Sequence, residues 1–281
     1  MPRPAVLFMS RTGTASCVLL PFVRPLFPPK DKNRFRMAKQ GLLLQVAFTP
    51  EELGTTAVQN ARVVVLDVLR ATSAICAGLH TGIRAFRPVL TTEQSLALAG
   101  EGYIPAAERD GLVAPGFEVG NSPLVFCESR FQGTQVALTT TNGTRALHAA
   151  RDAGAGEILV GAFLGLEALL EELSQNPQPT VLLGSGWQGK FSLEDTLLAG
   201  ALAEGLLTRS HGYHAQDDRV QAARSLWQNH RHDLRAAIRL SSHFARLASA
   251  GLEEDIDFCM ELNACPMFGR LVGEDLVPGL A

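Results

Sequence analysis

The sequence predicts an α/β protein: one three-layer α/β/α domain around a largely parallel or mixed sheet. Three observations carry that expectation. From residue 42 onward, strand-like and helix-like runs alternate through short connections. The run Val63-Val64-Val65-Leu66 is apolar on both faces, as strands buried inside parallel sheets are. Hydrophobic residues make up 46% of the 281 residues, enough to fill a real core between layers.

Strands are expected at 42–48, 62–67, 83–89, 103–107, 135–140, 157–163 and 180–184. Helices are expected at 71–81, 92–101, 144–153, 166–175, 193–208, 217–228 and 232–250. In the first helix Ala71, Ala74, Ile75, Gly78 and Leu79 recur at helical spacing, and Gly82 is placed to end it. Thr91 with Gln94, and Ser192 with Asp195, have the spacing of capping boxes at the starts of two others. From about residue 192 the pattern is mostly helical and is expected to pack on the same sheet. No internal repeat and no low-complexity linker follows residue 40, so residues 37–281 read as a single domain.

Residues 1–36 stand apart. They hold seven Lys/Arg against one acid and six of the fifteen prolines, and read as a disordered basic extension or as a start placed ahead of the true one at Met37. The remaining chain carries 18 basic and 27 acidic residues, a net charge of −9, which argues against nucleic acid as a partner. No apolar run reaches the roughly 20 residues a membrane span needs, and the patch Cys17 to Val23 is broken by Pro21 and lacks a signal-peptide cleavage site. Five scattered cysteines without C-x-x-C spacing fit neither zinc nor a disulfide framework and suit a reducing cytoplasm. His211, His214, His230 and His232 match no metal signature and read as surface residues. A homo-oligomer is compatible with the sequence.

Four segments carry candidate chemistry. In Asp67-Val68-Leu69-Arg70-Ala71-Thr72, an acid, a cation and a hydroxyl stand between a buried strand and a helix start, where open α/β sheets bind ligands. Asp67 suits a divalent cation, and Arg70 and Thr72 suit an oxyanion; alternatively Asp67 caps the helix and pairs with Arg70. Thr139-Thr140-Thr141-Asn142-Gly143-Thr144 joins a strand to a helix and offers hydroxyls, backbone N–H groups and a helix dipole to an anion. Gly184-Ser185-Gly186-Trp187-Gln188-Gly189-Lys190 is a glycine-rich loop with the only lysine after residue 39, followed by Glu194 and Asp195 at a helix start. Those two acids suit a metal or simply the helix dipole. Ala107-Glu108-Arg109-Asp110-Gly111 and Gly116-Phe117-Glu118-Val119-Gly120-Asn121-Ser122-Pro123 flank the fourth strand; Glu108 and Arg109 pair with each other or face the site.

Taken together and in order, DVLRAT, AER-G, GFEVGNSP, TTTNGT and G--GKFSLED, with the late segment Gly251 to Cys259, closely resemble the 2-phosphosulfolactate phosphatase family over roughly residues 43–270. The resemblance implies a cytoplasmic, Mg²⁺-dependent acid phosphatase that cleaves 2-phosphosulfolactate to sulfolactate and phosphate in coenzyme M biosynthesis. It also implies activity on phosphate monoesters of related 2-hydroxy acids. Asp67, Arg70 and Glu108 are then the catalytic candidates. Thr72, Arg109, Asn121, Ser122, Thr140, Thr141, Asn142, Gly143, Thr144 and Lys190 are candidates for holding the small phosphorylated 2-hydroxy acid. Asp67, Glu194 and Asp195 are candidates for Mg²⁺. Haloacid dehalogenase-type phosphatases place a second acid two positions after their nucleophile, where this chain has Leu69; attack by Asp67 or by water both remain open. Gly165 stands where the family is expected to show Asn, and Asn263 where an acid is frequent. A non-catalytic binder of an organic phosphate is the alternative from another class, and a lyase or transferase on a phosphorylated hydroxy acid is a third.

Two geometric expectations follow. The loops after residues 67, 107, 140 and 185 should meet in one polar pocket at one edge of the sheet. Arg70 should face the phosphate, and Arg109 or Lys190 the substrate's second acid group.

Overall fold

In a computed structural model, the structure describes residues 41–209 and 212–279, which form one compact unit. The basic extension and the start at Met37 lie outside the described residues. The strands are β1 (Leu42–Ala47), β2 (Arg62–Leu66), β3 (Ala85–Pro88), β4 (Tyr103–Arg109), β5 (Leu112–Val113), β6 (Gln135–Thr139), β7 (Glu157–Gly161), β8 (Thr180–Gly184), β9 (Tyr213–Ala215), β10 (Gly269–Val272) and β11 (Asp275–Pro278). The helices are α1 (Ala71–Thr81), α2 (Thr92–Ala97), α3 (Pro123–Phe126), α4 (Gly143–Asp152), α5 (Leu166–Gln175), α6 (Leu193–Arg209), α7 (Asp218–His230), α8 (Leu234–Ile238), α9 (Ser242–Ser249) and α10 (Glu253–Cys259). No described helix is long and apolar enough to cross a membrane.

One mixed sheet runs β5-β4-β6-β3-β11-β10-β7-β2-β8-β1-β9. Alternation along the central strands sorts side chains onto its two faces. Val64, Leu66, Leu159 and Leu182 pack with α5, α6 and α7. Val63, Val65, Val160 and Val181 pack with α1 and α4 on the other side. Every residue of β2 is buried, so the unbroken apolar run does what it was expected to do, and the architecture is three-layered.

Each expected strand is present, and the helices at 71–81 and 166–175 keep their expected bounds. Gly82 ends α1 in the left-handed conformation (φ 109°), and Thr91 forms a complete capping box with Gln94. The helix expected at 232–250 is two helices instead. Ser241 accepts a hydrogen bond from the Phe244 N–H at 2.9 Å and starts α9 afresh, with Leu240 left exposed before it.

The C-terminal hairpin of β10 and β11 is an addition that the helical pattern did not announce. β10 is antiparallel to β7, and β11 is antiparallel to β3. The block β7-β2-β8-β1-β9 is parallel within itself, as is β3-β6-β4. The hairpin between them makes the two blocks run in opposite senses. Twist of roughly 20–25° per strand accumulates to about 100° over the five steps from β2 to β6, which lets the carboxyl ends of oppositely running blocks face one cleft.

Candidate active site

Asp67 is the first residue beyond β2, and the turn that follows is fixed by its own backbone and by the hydroxyls of Thr72 and Ser73. The Asp67 N–H donates to Thr72 Oγ1 (3.0 Å), the Thr72 N–H donates to the Asp67 carbonyl (2.9 Å), and Ser73 Oγ donates to the Val68 carbonyl (2.8 Å). This leaves the Asp67 carboxylate at the mouth of α1, receiving the Ala71 N–H at 3.4 Å. A Cβ on Gly143, at the start of α4, would stand 2.7 Å from Asp67 Oδ2 and 2.8 Å from the Ala71 Cβ. Only glycine lets the two helix N-termini close on this carboxylate.

The cleft over Asp67 is lined by Leu69, Arg70, Glu108, Asp110, Gly111, Asn121, Thr141, Asn142, Trp187, His243, Arg246 and Leu247. The loops after residues 67, 107, 140 and 185 therefore do converge, though from two oppositely running blocks and not from one parallel edge. A larger groove around Arg87, Glu101, His148 and Glu274 contains none of the motif residues, and its Arg87 is held by Asp275.

Arg70 is 4% exposed. It ion-pairs with Asp255 of α10 and donates from Nη2 to the Gly111 carbonyl at 2.5 Å. Asp255 also accepts from Ser122 Oγ at 2.6 Å. A guanidinium has five N–H donors, so this clamp orients Arg70 and still leaves donors for the cleft. Ser122 thus supports Arg70 from behind and is not among the lining residues.

Glu108 accepts from the Gly111 N–H (2.7 Å) and the Thr141 N–H (3.1 Å). It clasps the loop after β4 to the loop after β6, facing neither a free base role nor Arg109. The threonine segment differs from the expected open nest for the same kind of reason. Thr140 and Thr144 share their hydroxyls at 3.3 Å, Thr141 Oγ1 lies 3.3 Å from Glu108, and Thr139 Oγ1 accepts from Arg109 at 3.2 Å. Of this segment Thr141 and Asn142 line the cleft, while Thr140, Gly143 and Thr144, together with Thr72 of α1, line a separate small void.

The two acids at the start of α6 separate. Asp195 accepts from the Val68 N–H (2.9 Å), Ser185 Oγ (3.2 Å) and the Gly186 N–H (3.3 Å), tying the loop after β2 to the loop after β8. Its oxygens are spoken for, which is why the Ser192–Asp195 box forms only its Ser192 half, at 3.5 Å. Burial, with Glu194 and Asp67 nearby, holds its pKa well above the usual carboxylate range. Glu194 is different: Oε1 meets His243 Nδ1 at 2.6 Å, while Oε2 is buried without a hydrogen-bond partner. Burial raises its pKa, but the His243 hydrogen bond and charge outweigh that and leave it lowered. Burial is also the main reason the Asp67 carboxyl is raised to about 6; His243 partly offsets it, and Glu108 and Glu194 add to it.

Among the described residues no three His, Cys, Asp or Glu side chains cluster to hold a metal. Mg²⁺ does not call for such a cluster, since it takes one or two carboxylates and fills its shell with water and phosphate oxygens. Asp67 and the orphaned Glu194 oxygen fit such a role; the saturated Asp195 does not.

The expected cations are rearranged. Arg109 donates to the Glu108 carbonyl (2.6 Å) and to Thr139, away from the lining, and Lys190 is exposed and also outside it. In Lys190's loop, Trp187 and Lys190 exchange backbone hydrogen bonds of 2.9 Å around Gln188 and Gly189, both at positive φ, and it is Trp187 that enters the cleft. Arg246 and His243 of α9 line it as well, and neither was singled out by sequence. Their positions follow from a helix whose start was hidden inside a longer helical pattern; Ser241 before Phe244 was the available signal.

The two departures noted in the sequence lie outside the cleft. A Cβ at Gly165 would stand 2.0 Å from the Met267 carbonyl, so a close backbone crossing excludes Asn there. Asn263 Oδ1 accepts the Glu167 N–H at 2.8 Å and caps the first turn of α5.

The family model described as 2-phosphosulpholactate phosphatase matches residues 47–273. A probable 2-phosphosulfolactate phosphatase of Synechococcus sp. (strain WH7803) is 36% identical over 217 residues, covering 75% of this chain and 86% of that protein. Proteins of the same description from Parasynechococcus marenigrum (strain WH8102) and Caldanaerobacter subterraneus subsp. tengcongensis are 39% and 33% identical, covering 74% and 82% of this chain and 87% and 95% of those proteins. With every motif loop but the far end of the glycine-rich one meeting around Asp67, and with matches of this extent, the chain belongs to the 2-phosphosulpholactate phosphatase family.

Proposed function

We propose that this chain is a Mg²⁺-dependent phosphomonoesterase that hydrolyses 2-phosphosulfolactate, or a closely related 2-phospho-hydroxy acid, to the hydroxy acid and phosphate. The observation that carries the reading is the buried Asp67 carboxylate in a cleft shared with Arg70, His243 and the N-terminal end of α4, within a chain of this family. Asp67 and Glu194 are the residues that would hold the metal. Bound there, Mg²⁺ would neutralise charge on the phosphoryl oxygens, the main demand of such transfers.

The chain's own groups supply the rest. Arg70, oriented by Asp255 and the Gly111 carbonyl, presents fixed donors to a phosphoryl oxygen, and the α4 N-terminus adds its dipole. His243 is held through Nδ1 by Glu194, which leaves Nε2 to exchange a proton with attacking water or with the departing alcohol oxygen. Glu108 and Asp195 hold the four loops in register and are positioning residues. Asn121, whose buried Oδ1 lacks a hydrogen-bond partner, is placed to accept a hydrogen bond from a substrate or product hydroxyl.

Phosphate release from a panel of 2-phospho-hydroxy acids, with Mg²⁺ and with EDTA, tests the reading. Release that requires the metal is expected. No release from any ester would favour a non-catalytic phosphate binder, and undiminished release in EDTA would remove the metal from the proposal.

A further inference from the structure

A phosphate ester of an acid brings two anionic ends into one cleft, and each needs its own counter-charge. The cleft contains two arginines. Arg70 is already paired with Asp255, whereas Arg246 has no ion pair among the described residues. Its guanidinium instead lies over the Trp187 ring, with Cζ 4.1 Å from the ring centroid. Stacking fixes the guanidinium plane and leaves its edge, where the N–H donors lie, free for a bidentate oxyanion. The two side chains come from α9 and the loop after β8, whereas Arg70 is supported from α10 and the loop after β4, so the cleft's two arginines are held by separate elements.

We propose that Arg246, braced on Trp187, binds an acid group of the substrate other than the phosphate, a sulfonate or carboxylate, and so selects esters that carry such a group over simple ones. The proposal rests on the phosphomonoesterase reading of the cleft. It also replaces Arg109 and Lys190 in the role the sequence suggested for them. Interactions with a part of the substrate remote from the reacting phosphorus show up as discrimination between substrates.

The test compares kcat/KM for 2-phosphosulfolactate and for phenyl phosphate, which has no second acid, in the wild type, Arg246→Ala, Arg246→Lys and Trp187→Leu. Arg246→Ala is expected to lose about a hundredfold on 2-phosphosulfolactate, mostly through KM, and less than about threefold on phenyl phosphate. Arg246→Lys should recover part of the loss, since charge is restored without the planar fork, and Trp187→Leu should show the same selectivity at smaller size. Equal proportional losses on both esters, or no loss on either, would overturn the assignment. Calorimetric titration with sulfolactate gives a readout independent of turnover. If the wild type hydrolyses neither ester, the phosphatase reading falls, yet sulfolactate binding lost in Arg246→Ala would still support the anion site, and binding retained would refute it.

Discussion

Asp67→Asn is expected to lower kcat/KM for phosphate release by at least about a hundredfold and, at the same time, to make the metal-free protein more stable at neutral pH. The activity loss follows from removing the one carboxylate that faces the cleft from the end of the most buried strand. The stability gain follows from its titration. Burial raises the carboxyl from 3.8 to about 6, so between those values the folded chain keeps a proton that the unfolded chain has released. Stability therefore falls as pH rises from about 4 to about 6 and stays lower above, by on the order of 3 kcal/mol. Asn carries no such burden, so its Tm in EDTA at pH 8 should exceed the wild type's by about 5–10 °C, with the gap closing near pH 4. Retention of more than about a tenth of the activity would limit the lost stabilisation to about 1.4 kcal/mol, too little for the role assigned. Coincident melting curves at pH 8 would show that ionised Asp67 is not penalised.

The second large effect belongs to Asp255. Asp255→Ala leaves a 4%-exposed guanidinium with only the Gly111 carbonyl, and takes the acceptor from Ser122 Oγ. Breaking a buried pair from one side costs about 3–5 kcal/mol, and Arg70, released from its clamp, should no longer meet the phosphoryl group. Urea unfolding and kcat/KM should fall together. The double replacement Arg70→Met with Asp255→Leu separates the two contributions: stability should largely return because no uncompensated charge remains, while activity should not. A single variant within about 1 kcal/mol of wild type would show the pair to be dispensable.

The layers and most of the catalytic loops were legible in the sequence because both rest on local pattern. The apolar run of β2, the spacing in α1 and the Thr91 cap each act within a few residues. What was hidden depends on partners far along the chain. Asp195 looked like a metal acid or a dipole residue until Val68, Ser185 and Gly186 surrounded it. The threonines looked like free donors until Glu108 arrived from another strand to take the Thr141 amide. Arg246 and His243 carried no motif signal, since Trp187 and Glu194, which give them their meaning, lie about fifty to sixty residues earlier. The hairpin β10–β11 was missed because its strands are four residues each and carry Gly269, Arg270 and Asp275 among the apolar positions.

That hairpin also sets an order of assembly. The Asp67 end of the cleft belongs to the block around β2 and β8, and the Glu108–Thr141 wall to the block around β4 and β6. Sheet hydrogen bonding between those halves passes through Gly269–Val272 and Asp275–Pro278, which leave the ribosome after every other described strand. Without the hairpin the halves are joined by helix packing, through α1 and α4, and α10, whose Asp255 aims Arg70, also comes late in the chain. Each half-sheet can therefore form before the hairpin does and still present no joined cleft, so the cleft depends on a hairpin that contributes none of its lining residues.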